Sequence, residues 1–343
     1  MRVIEITEDR GLAPADRDAP RTGGTDVAVD VAFCGVCGSD LHMLEDPSFP
    51  TRSVLGHELS GVVRAVGPQV TAVSVGDAVA VLPYESCGTC RSCTTGRENL
   101  CASGGHLGSV IGVQRPGGLA STVVADETSV VPLPAGATLE QGALAEPVAV
   151  ACRAAGKVAG DLDDLVVVVG AGPIGVLVAL VLRAQGRRNV HVLEVNGGRR
   201  DRAASLGLPV LEPEEGTDAA LRERDVATFV DCTGSPGAVA LQLGAVRRGG
   251  RVVLVGLGPP VQLDAESAIL REVEIVGSAG YSRRDFQTAV QLLASGAVPA
   301  DELITRIAPV AEAASVFADL RDPATPHIKV LLRHDHRGGT TND

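Results

Sequence analysis

Hydrophobic and polar positions change texture near residue 150. Before it, short runs of β character are broken by Gly and Pro. Residues 25–31 alternate apolar with polar, 59–66 and 77–82 read as further strands, and Gly67-Pro68, Gly76-Asp77 and Pro116-Gly117-Gly118 read as turns. This pattern predicts a compact, mostly β domain. Beyond it, 165–169 is a continuous apolar run of the kind buried on both faces of a parallel sheet, followed by a Gly turn and a helix through Ala184. Strands are predicted at 190–194, 209–211, 228–232, 251–255 and 274–276, with helix-length segments between them. Such alternation builds a doubly wound parallel sheet, so the fold class is α/β. An amphipathic helix over 311–320 and a strand over 328–332 are assigned back to the first domain, and 334–343 reads as a loose tail. The expected domains are 1–150 with 290–343, and 151–289.

Composition narrows the partners. At ~150 residues per domain, 343 residues suit two domains. Hydrophobic residues make up 45% but aromatics only 2%, with no Trp, so the core is built from Val, Leu, Ala and Ile. Aromatic platforms for stacking bases are therefore not expected. The net charge is −12 and the basic residues form no cluster beyond pairs such as Arg187-Arg188 and Arg247-Arg248, which argues against nucleic acid and anionic membranes. The first nine residues mix acids with bases and resemble no secretory signal, which places the protein in the cytoplasm. The uncharged run 165–182 approaches the length of a membrane span, but Gly170-Ala171-Gly172-Pro173-Ile174-Gly175 interrupts it and indicates strand, turn and helix instead.

Eight cysteines without a secretory signal point to metal rather than disulfides. Cys87, Cys90, Cys93 and Cys101 lie in one loop at C-x2-C-x2-C-x7-C spacing. Four thiolates complete a closed tetrahedral zinc shell with no position for substrate, an iron–sulfur cluster being the rival occupant. A second constellation is Cys37-Gly38-Ser39-Asp40-Leu41-His42 answered by Gly56-His57-Glu58. Cys37 and His57 suit zinc, but two ligands are too few. Cys34 and Cys37 also form a C-x-x-C pair; without the strand-to-helix context of a redox dithiol, Cys34 reads as a small core residue.

The turn at 170–175 fits G-x-G-x-x-G, follows an apolar strand, opens a helix, and is followed 19 residues after Gly175 by Glu194 at the end of the second strand. Its glycines let the backbone approach a pyrophosphate at a helix N-terminus, and Glu194 would accept hydrogen bonds from ribose hydroxyls and repel a 2′-phosphate. This favours NAD over NADP, although Arg199 and Arg200 lie close enough in sequence to meet a phosphate. Asp231-Cys232-Thr233-Gly234 and Val255-Gly256 end later strands at the same carboxyl edge.

Taken together, Gly35-Val36-Cys37-Gly38-Ser39-Asp40, Gly56-His57-Glu58, the four-cysteine lobe and the Gly-rich turn, in this order along nearly the whole chain, resemble the zinc-containing medium-chain alcohol and polyol dehydrogenases. The resemblance implies a GroES-like, mostly β catalytic domain with a structural-zinc lobe (85–103), and a Rossmann dinucleotide-binding domain. It implies two zinc ions per chain: a structural one on Cys87, Cys90, Cys93 and Cys101, and a catalytic one on Cys37, His57 and a third residue. Ala145-Glu146-Pro147 resembles the polyol and sugar branch, in which a Glu before Pro is that third ligand, with Cys152 the alternative. Glu58 is open as a spare ligand, a nearby charge or an ion-pair partner. Asp40 would receive the other N–H of His57, Ser39 would accept the alcohol proton, and His42 would pass it to solvent. Gly170, Gly172, Pro173, Ile174, Gly175, Glu194, Arg199 and Thr233 would line the cofactor.

The implied reaction is reversible oxidation, with NAD, of a secondary alcohol of a polyol, sugar or cyclitol to a ketone. The alternatives are a sugar acid, with Arg115 meeting its carboxylate, a simple secondary alcohol, a zinc-independent NADPH enone reductase, or a non-catalytic protein retaining the fold. A homodimer or homotetramer is expected from the same resemblance.

Overall fold

A computed structural model describes residues 1–213, 216–322, 325 and 327–335. The chain separates into two compact units, Met1–Glu146 with Tyr281–Asp343, and Pro147–Gly280. Both crossings come earlier than the boundaries at 150 and 290 drawn from sequence. The first falls inside the helix Ala145–Ala155, where composition does not change.

In the first unit the strands Ile304–Pro309, Lys329–Arg333, Asp26–Gly35, Glu58–Val66, Ala78–Val81 and Val130–Pro132 lie side by side in that order, and Thr122–Asp126 also pairs with Asp26–Gly35. Their alternating apolar residues close a core of Val27, Val29, Val31, Leu59, Val63, Val79, Val81 and Val123. A second cluster, around Ile6, Leu55, Leu119, Val316, Phe317 and Leu332, packs the helix Ala313–Leu320 and the hairpin Arg2–Ile6 with Leu12–Asp16. That hairpin has no counterpart in the sequence reading. The helix expected at 311–320 begins at Ala313, after a 3-10 turn over Val310–Glu312. Of the tail at 334–343, residues 336–343 lie outside the described residues.

The central antiparallel pair assembles the chemistry. Asp26–Gly35 and Glu58–Val66 pair so that Gly35 lies opposite Glu58. The first strand therefore hands directly on to Cys37 and the helix Gly38–Glu45, while His57 immediately precedes the second. One register places both motifs at the same sheet end. Lys329–Arg333 adds to the other side of the first strand, with Leu331 opposite Gly35.

The second unit is a six-stranded sheet, parallel throughout, in the order Val210–Leu211, Val190–Leu193, Val166–Val169, Thr228–Asp231, Arg251–Leu254, Glu274–Gly277. The strand order reverses at Val166–Val169, whose two neighbours are the next strand in sequence and Thr228–Asp231. A doubly wound sheet opens its ligand crevice at such a switch point, at the carboxyl ends of the strands. No helix among the described residues is long and apolar enough to cross a membrane.

Candidate active site and metal centres

Cys37 is the N-cap of the helix Gly38–Glu45. Its backbone N–H donates to Asp40 Oδ2 at 2.9 Å, and the Gly56 N–H donates to Asp40 Oδ1 at 3.3 Å, so one fully buried carboxylate ties together the two loops that carry Cys37 and His57. Asp40 Oδ1 is also 3.4 Å from His57 Nδ1, beyond good hydrogen-bond geometry, and acts on the imidazole as a neighbouring charge. The other ring nitrogen, Nε2, lies 3.4 Å from Ser39 Oγ. Burial alone would lower the His57 pKa, but the Asp40 carboxylate and the Cys37 thiol outweigh it and hold the pKa well above the usual value. Ser39 and His42 sit one turn apart on the exposed face of the helix.

Cys37, His57 and Glu58 each bring one ligand atom within 4.8 Å of the others. Glu58 has a second engagement that the sequence did not reveal. Both its oxygens accept from Lys329 Nζ at 2.7 Å, and the same ammonium donates to the Val36 carbonyl at 3.2 Å. Both side chains are buried, with 5% and 1% exposure. Gly35 makes room for the pair, since a Cβ there would fall 2.1 Å from Glu58 Oε2. The signal for Lys329 was present as one charged residue leading an apolar strand.

Glu146, half-buried in the first turn of Ala145–Ala155, is not among these three, and Cys152 on the same helix belongs to the second unit. Burial pushes the Glu146 carboxyl up to about 7, opposed by the His57 charge. Tyr281, buried beside Tyr84 with ring centroids 5.3 Å apart, was also missed by the sequence reading. Its backbone N–H donates to the Tyr84 hydroxyl at 3.2 Å.

Cys87, Cys90, Cys93 and Cys101 converge with their sulfurs within 4.8 Å. The Cys90 N–H donates to Cys87 Sγ and the Cys87 N–H to Cys101 Sγ, each at 3.3 Å. The N–H groups of Cys90 and Thr89 lower the Cys87 pKa to about 5, while burial raises that of Cys93 to about 12. Four sulfurs gathered this closely, partly as thiolates, fit one tetrahedral cation.

In the second unit, Gly170 (φ +97°) turns the chain out of its strand, and a Cβ on Gly175 would lie 1.8 Å from the Gly170 carbonyl oxygen. Pro173 opens the helix Pro173–Ala184 behind the N-cap Gly172. Glu194 is buried, its two oxygens accepting from the Ala171 N–H at 2.7 Å and the Asn196 N–H at 2.8 Å. Arg200 is held by Glu212 and by the Glu194 and Val195 carbonyls, and Arg199 is exposed. The Thr233 hydroxyl donates to Asp231 Oδ1 at 2.8 Å.

Comparison with known proteins decides the family. Residues 23–135 match the alcohol dehydrogenase GroES-like domain, and 173–295 match the zinc-binding dehydrogenase domain. The chain is 33% identical to 2-dehydro-3-deoxy-L-galactonate 5-dehydrogenase of Pseudoalteromonas atlantica, over 88% of this chain and 89% of that protein. It belongs to the zinc-dependent medium-chain alcohol and polyol dehydrogenases. D-xylulose reductase A of Aspergillus niger is also 33% identical, over 92% of each chain. An alcohol dehydrogenase from Escherichia coli CFT073, solved with NADH, superposes with a TM-score of 0.90 at 26% identity, covering 97% of this chain and 99% of that one.

Two details of this dehydrogenase bear on the sequence reading. Arg115 donates to Glu85 Oε1 at 2.5 Å and to the Val124 carbonyl at 2.6 Å, so its guanidinium is engaged within the protein. Cys34 points into the core, where burial raises its pKa well above the usual value. Its sulfur would lie 2.5 Å from a Cβ on Gly56 and 2.6 Å from one on Gly118.

Proposed function

We propose that this dehydrogenase oxidises a secondary alcohol of a polyol or sugar to the ketone, reversibly, with NAD. The supporting observation is the convergence of Cys37 and His57, whose two loops are tied together by the buried Asp40 carboxylate. A soft sulfur and an imidazole within one small volume suit zinc, and the buried Asp40 carboxylate beside the imidazole adds negative charge there. Cys37 and His57 would hold the catalytic ion with Glu146 as third ligand; Glu58, its oxygens bonded to Lys329, stands behind them as a fixed charge. The four sulfurs of the 87–101 loop would hold the structural ion. Zinc supplies Lewis-acid polarisation of the hydroxyl, and NAD the hydride acceptor.

The chain's own residues manage the proton and the orientation. Ser39 Oγ would take the hydroxyl proton while passing its own on, and His42, one turn on and exposed, would accept the relayed proton and release it to solvent. Asp40 orients the imidazole and binds both loops. Glu194, with its charge buried at the second strand end and Arg200 already engaged by Glu212, disfavours a 2′-phosphate and supports NAD over NADP. A zinc-independent reductase would have no use for the Cys37, His57 and Glu58 cluster. A polyol or ketose fits the Glu146-Pro147 motif and one relative's printed name; a sugar acid, as in the other, would need a cation other than the engaged Arg115. A cytoplasmic location and a homodimeric or homotetrameric state belong to the same proposal.

The test is NAD reduction against polyols, sugars, sugar acids and simple secondary alcohols, beside His57→Ala. The variant should lose NADH formation while keeping NADH binding; full activity in His57→Ala would overturn the metal mechanism.

A further inference from the structure

Glu194 immediately follows the strand on one side of the switch point, and a second buried carboxylate, Asp231, ends the strand on the other. Among the described residues, Asp231 bonds within its own unit. Its Oδ1 accepts from Thr233 Oγ1 at 2.8 Å and from Gln242 Nε2 at 2.9 Å, and its Oδ2 accepts from the Gly234 N–H at 2.8 Å. Its carbonyl accepts from the N–H groups of Val255 and Gly256, both at 2.9 Å, which ties the loop after Arg251–Leu254 to the same residue. The Thr233 hydroxyl in turn accepts from the Ser235 N–H at 3.0 Å, at the start of the helix Pro236–Ala245.

Three missing side chains show how closely these loops interlock. A Cβ on Gly170 would meet Thr233 Cγ2 at 2.8 Å, one on Gly256 the Gly234 nitrogen at 2.3 Å, and one on Gly258 the Gly234 oxygen at 1.9 Å. Gly234 itself is left-handed, with φ +65°, and the Asp231 carboxylate holds its N–H in that conformation. The Asp231 carboxylate thus holds the backbone from 233 to 235, and the main-chain carbonyl of the same residue holds 255–256 beside it.

We propose that Asp231 is a positioning residue for the nicotinamide half of the cofactor. The inference rests on the NAD reading above. In that reading the pyrophosphate lies at the 170–175 turn and the adenosine ribose at Glu194, so the second nucleoside extends across the switch point to the loops that Asp231 holds. Asp231 touches no part of the ligand; it sets the backbone the ligand meets. Asp231→Asn keeps the size, but turns an amide N–H₂ either towards the Gly234 N–H or towards the two donors at Oδ1. Gln242→Met removes one donor from a helix position remote from the turn.

The experiment compares binding of NADH, followed by its own fluorescence, with binding of ADP-ribose, which lacks nicotinamide, by calorimetry on the zinc-loaded protein. Asp231→Asn should weaken NADH by about tenfold, equivalent to 1.4 kcal/mol, and Gln242→Met in the same direction by less. ADP-ribose should bind both variants as it binds wild type. Equal weakening of NADH and ADP-ribose would show general damage to the unit and overturn the proposal, as would unchanged NADH binding in both variants. Failure of wild type to bind either probe would instead overturn the NAD reading.

Discussion

Lys329→Met offers the sharpest test of how the site is held together. The ammonium spans two Glu58 oxygens at 2.7 Å and the Val36 carbonyl at 3.2 Å, inside a core that leaves the two side chains 5% and 1% exposed. Burial alone would lower the Lys329 pKa, and the attraction of Glu58 reverses this and raises it. Met retains the apolar stem and removes the charge, leaving the buried Glu58 carboxylate without its ion-pair partner. Removing one partner of a buried pair costs about 3–5 kcal/mol. For a unit of this size each kcal/mol moves the melting temperature by about 2–4 °C, so Tm should fall by about 6–20 °C. Glu58→Gln combined with Lys329→Met removes both charges and should recover most of that loss, because the cost lies in the unpaired carboxylate. Calorimetry on the zinc-loaded enzyme reads all three proteins. A Lys329→Met Tm within about 2 °C of wild type, a change of less than about 1 kcal/mol, would refute the reasoning. So would a double variant that is worse than the single one.

Two further outcomes follow from the geometry. Asp40→Asn weakens the negative field at His57 and the tie between the Cys37 and Gly56 loops. It should lower affinity for the catalytic zinc by about 10–100-fold, read by competition with a chromogenic chelator, while the four-sulfur site keeps its ion. Cys93→Ser should do the converse. Elemental analysis should find about one zinc per chain instead of two, with NADH binding at the 170–175 turn unchanged, because the lobe and the turn belong to different units. Retention of both ions in Cys93→Ser would remove the closed four-thiolate site from the account.

Much of this was legible because it is local. A run of four valines cannot face water on either side, so Val166–Val169 announced a central parallel strand and the glycines after it a turn. Cys87 to Cys101 announced themselves because short C-x2-C turns aim neighbouring thiols at one point, and the sulfurs do converge. Illegible parts are those that close over distance or break where composition is uniform. The unit boundary falls inside a helix. The partner of Glu58 lies 271 residues away, beyond any motif, and is fixed only once Lys329–Arg333 pairs beside Asp26–Gly35.

Glu58 shows why the distinction matters. Beside His57 it reads equally well as ligand, neighbour or ion-pair partner, because all three need only a carboxylate at the end of a strand. What separates them is the position of a cation, and that is set by sheet register. With Gly35 opposite Glu58 and no Cβ between them, the carboxylate can lie back against the strand, where Lys329 meets it. Shifting that register by one residue would turn Glu58 to the opposite face. The site geometry and the sheet register are therefore one constraint: the residues that name the chemistry can be read from the chain, but the cation that Glu58 pairs with is brought to it only in the folded sheet.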